Sequence, residues 1–189
     1  APTQEVLTIF RDVERPDHNE AGSFYWGLVP FWADSIAIAA KLINARAETL
    51  RQKPSFRAAY KYRRCLIPVS GFYEWKRQGK HKQPYYIRPL EDGVPFALAG
   101  LWEHWTGPHG EELWSCSIIT TEANSLMAPI HHRMPVILAR DDFEAWLDPA
   151  RQDSAAFDAL LKPCPAEWMT AYPVSTHVNR NDHEGPRCI

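Results

Sequence analysis

The chain has 189 residues, 45% of them hydrophobic and 23% charged, with a formal net charge of −2. That length buries one sizeable core without needing a second, and the balance excludes intrinsic disorder and collagen-like repeats. No apolar run approaches the roughly 18 residues of a membrane helix, and Ala1-Pro2-Thr3-Gln4 lacks the basic-then-apolar pattern of a signal peptide, so a soluble intracellular protein is expected.

In chain order, short apolar runs broken by Pro, Gly and His predict strands over 6–10, 24–28 and 42–45, then a helix over 55–62. Strands follow over 65–69, 72–76 and 85–88, the last two forming a hairpin whose connection, 77–83, is basic. Further strands are expected over 96–101, 114–120 and 135–138. Helices are expected over 123–127, 141–147 and 154–161, with Asp141 and Ser154 as N-caps. No repeat or interdomain linker interrupts the chain. The pattern reads as α+β: a single domain of curved, mainly antiparallel, barrel-like sheet with a few short helices.

Charge is distributed unevenly. Between Lys41 and Leu90 there are thirteen Lys and Arg against two acids, Glu48 and Glu74, a net +11 that leaves −13 for the remainder. Such asymmetry describes either a basic face for a polyanion, where neutralised phosphates release counterions, or a solvated face balanced by the acidic remainder. Among the eight tryptophans, any exposed one can stack a base of a single strand, while most are expected in the core.

Three short segments carry more chemistry than a core needs. In Asn44-Ala45-Arg46-Ala47-Glu48-Thr49, the period of two puts Asn44 and Arg46 on one face, an amide beside a guanidinium. The alternative is a capped turn and a surface arginine. In Gly71-Phe72-Tyr73-Glu74-Trp75-Lys76, a carboxylate stands among three aromatics, where burial would raise its pKa toward general-acid work. The alternative is a structural ion pair with a Lys or Arg. In Pro129-Ile130-His131-His132-Arg133-Met134-Pro135, adjacent histidines in a strand would point to opposite faces, so at most one is expected to reach a site. No metal is expected, because His177 and His183 show no ligand spacing. Cys65, Cys116, Cys164 and Cys188 form no C-x-x-C pair and read as reduced thiols, Cys65 and Cys116 as small buried hydrophobes.

Taken in order, these segments resemble the SRAP family, the SOS response-associated peptidase-like proteins that process abasic sites in single-stranded DNA. The matching pieces include Trp26-Gly27-Leu28-Val29-Pro30 with Trp32, Asn44 to Thr49, Arg64-Cys65-Leu66-Ile67-Pro68, Gly71 to Trp75, Ala99-Gly100-Leu101-Trp102, Thr120-Thr121-Glu122-Ala123-Asn124 and His131 to Pro135. The resemblance implies a DNA-protein crosslink in which the α-amine and thiol of an N-terminal cysteine, within Cys-Gly-Arg, condense with the abasic aldehyde to a thiazolidine. It also implies lyase-like chemistry and autoproteolytic peptidase activity. By the same resemblance, Asn44 positions thiol and adduct, Glu74 is the acid/base beside the amine, and His131 assists sugar-ring opening and adduct reversal. Trp32, Arg46, Thr120 and Arg133 line the DNA path. The expected partner is single-stranded DNA containing abasic sites, met by a cytoplasmic monomer that is nucleoid-associated when acting on DNA, with no membrane and no cofactor. The start at Ala1 departs from Cys-Gly-Arg and resembles an internal family segment. The sequence is therefore expected to be an SRAP-like domain over 1–189 missing a few dozen N-terminal residues and inactive alone in crosslinking; a noncovalent single-strand binder or a thiol peptidase are the alternatives.

Overall fold

A computed structural model describes residues 1–152, 154–180 and 182–189, with the side chain of Ser154 excluded. In chain order the elements are β1 (Glu5–Phe10), β2 (Glu20–Trp26), β3 (Asn44–Arg46), α1 (Pro54–Tyr62), β4 (Arg64–Val69), β5 (Phe72–Gln78) and β6 (His81–Pro89). There follow β7 (Phe96–Thr106), β8 (Glu112–Glu122), β9 (Arg133–Pro135), α2 (Phe143–Leu147), α3 (Ser154–Asp158) and β10 (Met169–Pro173), with short 3₁₀ turns between them.

Five strands close a barrel in the order β2-β1-β4-β7-β8 and back to β2. All neighbours are antiparallel except the closing pair, where Tyr25 and Trp26 of β2 run parallel to Ser115 and Cys116 of β8. β3 and β9 extend this sheet beside β8, and β10-β6-β5 form a second, three-stranded sheet. The expected α+β domain of curved, mainly antiparallel sheet with a few short helices is what the chain forms.

The central strands β4, β7 and β8 are buried on both faces because both are covered. Along β7, Ala99 and Leu101 join Leu66, Ile119, Phe56 and Trp146 under the helices, while Leu98 and Trp102 face the other way with Phe10, Phe24, Ile67 and Cys116. Phe10, Phe24, Trp102 and Trp114 pack ring against ring there, with Trp102 and Trp114 stacked at 5.3 Å between centroids. Gly100 sits where a Cβ would meet the Cys65 sulfur at 2.8 Å and the Ser117 carbonyl at 3.2 Å, so only glycine lets these strands approach.

Several expectations need correction. The hairpin connection is not the seven residues 77–83: Gln78 pairs with His81, leaving Gly79 and Lys80 as a two-residue turn. Gly79 at φ 61° supplies the positive φ that a tight hairpin of this kind demands at its first central position. Residues 123–127 form turns rather than a helix, because the Asn124 amide closes locally on the Met127 N–H at 3.0 Å and reaches the Cys164 carbonyl at 3.0 Å. Asp141 lies inside a 3₁₀ turn, Arg140–Asp142, that leads into α2, and caps nothing. The expected Ser154 cap lies outside the described side chains. Strand β10, which pairs Met169–Pro173 with Pro89–Tyr85 of β6, had not been expected.

Candidate active site

The last turns of β8 and its two flanking strands make one wall of a cleft of about 360 Å³. β3 lies parallel to β8 with Asn44 opposite Ile118 and Arg46 opposite Thr120, and β9 lies antiparallel with Arg133 opposite Glu122 and Pro135 opposite Thr120. Ala45 is fully buried while Asn44 and Arg46 are exposed, as the two-residue period requires. The other wall is β5, carrying Phe72, Tyr73 and Glu74.

Six of the expected site residues, Asn44, Arg46, Glu74, Thr120, His131 and Arg133, line this one cleft; Trp32 does not. Trp32 is 47% exposed on the loop after β2, and its chain neighbour Phe31 is 60% exposed.

Among the described residues Glu74 pairs with no Lys or Arg; its ionic neighbour is His131, Nδ1 to Oε1 at 3.7 Å. Burial pushes its carboxyl above the ordinary carboxylate range, against the opposing pull of His131 and of the Trp75 amide. The His131 Nδ1 also lies 3.2 Å from the Arg133 N–H and 3.1 Å from the Arg133 carbonyl. A neutral Nδ1 accepts from the former, and a protonated one donates to the latter or turns to Glu74, so the ring can hold a proton in either of two bonded states. His131 and His132 precede β9 on a bend rather than within a strand, with ring centroids 4.5 Å apart, and both line the cleft. The expectation that only one would reach the site is corrected on that ground.

Arg133 is not a free cation. Its Nη1 and Nη2 donate to Glu48 Oε1 and Oε2 at 2.6 and 3.0 Å, and Nη2 also donates to the Thr120 carbonyl at 2.7 Å. The side chain of Arg46 has no hydrogen bond or ion pair among the described residues, and neither does that of Asn44.

Elsewhere in the basic segment the charge is partly neutralised. Arg51 pairs with Asp158, Arg63 with Glu103 and Arg88 with Asp92. Arg64 is 2% exposed and donates to the carbonyls of Tyr60, Lys61, Trp146, Asp148 and Arg151. The +11 thus overstates the basic face, since four of the thirteen cations serve the fold. All four cysteines are buried. Burial raises the thiol pKa of Cys65 well above its ordinary value, that of Cys116 to about 12 and that of Cys164 to about 11, so none of these three is a nucleophile at neutral pH. Among the described residues no cluster of His, Cys, Asp and Glu is arranged to hold a metal.

Residues 1–181 match the family SOS response associated peptidase (SRAP). The chain belongs to the SRAP family. An SRAP relative, the abasic site processing protein YoqW of Bacillus subtilis, is 46% identical over 190 residues that span 100% of this chain and 83% of that protein. The abasic site processing protein HMCES of Xenopus tropicalis is 36% identical over 186 residues, spanning 87% of this chain and 55% of its own. Among solved structures, a protein of Bacteroides thetaiotaomicron superposes with a TM-score of 0.87 at 36% identity, covering 98% of this chain and 80% of that one. A protein of Bordetella bronchiseptica gives 0.79 at 30% identity.

Two residues that line this SRAP cleft, Trp26 and Tyr73, and one outside it that is bonded to Arg133, Glu48, are not singled out from sequence. Trp26 turns its ring to the cleft and bonds its Nε1 to the Ile43 carbonyl at 2.9 Å; Tyr73 faces it from β5; and Glu48 holds Arg133. Glu48 lies past the end of β3, on the 3₁₀ turn Ala47–Thr49, where the two-residue period no longer says which way it faces. Trp26 and Tyr73 carry no signal, because aromatic residues in strands read as core.

Proposed function

We propose that this protein processes abasic sites in single-stranded DNA by trapping the ring-opened sugar aldehyde in a thiazolidine with an N-terminal cysteine. The observation that supports the reading is the convergence of Asn44, Glu74 and His131 in one cleft beside the unbonded Arg46. In this reading the α-amine attacks C1′ of the aldehyde, water leaves, and the thiol adds to the resulting imine. Nitrogen and sulfur then share one carbon. This sequence carries alanine at position 1, so the amine and thiol of that cysteine are assigned by family resemblance, while the cleft residues act around them.

Glu74 is suited to take the proton from the α-ammonium and return it to the departing sugar oxygen, because its raised pKa brings it closer to neutrality. His131, within 3.7 Å of it, shares that proton traffic at the sugar ring. Asn44 offers an amide donor and acceptor to thiol or adduct. Arg46 takes a backbone phosphate, and the exposed Phe31 and Trp32 offer stacking faces to bases on the same strand.

Protein that presents the cysteine is the material for the test, in single-turnover adduct formation at saturating abasic single strand. Glu74→Gln and His131→Ala are each expected to slow the reaction by about 10²-fold, the lower end of general acid–base contributions, with affinity for undamaged strand nearly unchanged. Rates within twofold of wild type for both variants would remove these residues from the mechanism. Strand binding with no adduct under any condition would favour the noncovalent binder instead.

A further inference from the structure

The Arg133 fork is already filled by an anion of the protein itself. Glu48 stands on the 3₁₀ turn Ala47–Thr49 directly after Arg46 and engages Arg133 with both carboxylate oxygens, at 2.6 and 3.0 Å, the two-point geometry by which arginine also takes a phosphate. The two partners are unequally placed. The Arg133 side chain is 18% exposed and is fixed from behind by the Thr120 carbonyl at 2.7 Å and hydroxyl at 3.4 Å, whereas Glu48 is 53% exposed. The arginine is therefore the anchored member and the glutamate the displaceable one. The Arg133 Nε is buried with no partner, so losing Glu48 without a replacement would leave the guanidinium with further unmet donors.

We propose that Glu48 is a resident stand-in for a DNA phosphate: it occupies the Arg133 fork while the cleft is empty and is exchanged for a backbone phosphate when a strand enters. The proposal rests on the reading of the cleft as a single-strand site and adds the residue that sets its threshold. Two consequences follow from charge. Weakly held polyanions are rejected, because entry must break a charge-assisted pair and leave Glu48 ionised beside the strand. In the empty cleft the Arg133 hydrogen bonds hold the Glu48 carboxyl below the ordinary carboxylate range.

The test is a double-mutant cycle on affinity for undamaged oligothymidylate, read by fluorescence anisotropy across a salt series. Glu48→Gln is expected to tighten binding roughly three- to tenfold, the scale of a half-exposed ion pair, and to steepen the salt dependence by about 0.7 in log–log slope, one phosphate on a single strand. In an Arg133→Gln background the same change is expected to gain less than half as much, because there is no pair left to break. Equal gains in both backgrounds would show a general repulsive charge and overturn the exchange. So would an unchanged affinity on Glu48→Gln. If Arg133→Gln does not fold, Arg133→Met takes its place, keeping the length of the side chain without the charge; a full gain in that background also overturns the proposal. A wild type that fails to bind oligothymidylate overturns both the exchange and the function reading, whereas binding that is indifferent to Glu48 overturns the exchange alone.

Discussion

Glu74 pulls stability and chemistry in opposite directions. Its folded carboxyl titrates above the ordinary range because burial penalises the charge, so the folded state holds this proton more tightly than the unfolded chain does. The contribution to stability is therefore complete below the unfolded carboxylate pKa and is lost as pH rises through the folded one, leaving the ionised group a liability at neutrality. Glu74→Gln should accordingly melt higher than wild type near neutral pH, with the gap closing as pH falls toward about 4. Thermal melts against pH decide it: a gap that is negative, or constant with pH, would mean that the His131 contact outweighs burial. The pairing of Asn44 with Arg46 was legible because alternation alone puts them on one face. The engagement of Arg133 was not, since its partner Glu48 lies 85 residues away in sequence. Strand alternation would send the adjacent His131 and His132 to opposite faces; they lie before β9 instead, and both line the cleft.

At the scale of elements, Arg64 is the first residue of β4 and closes the C-terminal end of α1 and the segment after α2 in one stroke, through its five carbonyl partners. Its guanidinium also lies 4.1 Å from the Phe157 ring centroid, tying α3 to the same point. Burial brings its pKa down to about 10, which still leaves it charged at neutral pH. Arg64→Met fills the space but leaves the carbonyls unpaired, at about 1–3 kcal/mol for each buried group not reached by water. We expect a loss of about 3 kcal/mol or more in urea unfolding, and a loss under 1 kcal/mol would show that these carbonyls find other donors. Sequence alone placed Arg64 on the basic face because Trp146, Asp148 and Arg151 lie 82 to 87 residues away. Strand β10 was missed for a related reason: Met169–Pro173 is five residues ending in proline, and it becomes a strand by pairing with β6, whose Pro89 to Tyr85 run opposite it. The neighbouring hairpin was legible as β5 and β6, but not its length, because Arg77, Gln78, His81, Lys82 and Gln83 are polar strand residues that resemble a loop.

For the molecule as a whole, the cations that remain unpaired set the expected response to salt. With Arg64 buried and Arg51, Arg63 and Arg88 in ion pairs, the groups left for a polyanion are chiefly Arg46, the α1 face with Lys53, Arg57 and Lys61, and the β5–β6 hairpin with Lys76, Arg77, Lys80 and Lys82. Affinity for undamaged single strand should fall steeply and linearly in log–log terms, by about 0.7 for each phosphate engaged, and charge reversal at Arg46 should weaken binding and flatten the slope. A slope near zero in a salt titration would detach the basic segment from nucleic acid. The barrel-like α+β sheet was legible from short, doubly apolar strands. Its closure was not, because the parallel contact of β2 with β8 rests on two residues on each strand. That closure has a further use. Cys65 and Cys116 sit inside the sealed wall with no exposed surface, and a small electrophile can mark them only when strands part. Their alkylation rate in native buffer is thus a clock for barrel opening, one that runs without any label being added to the cleft.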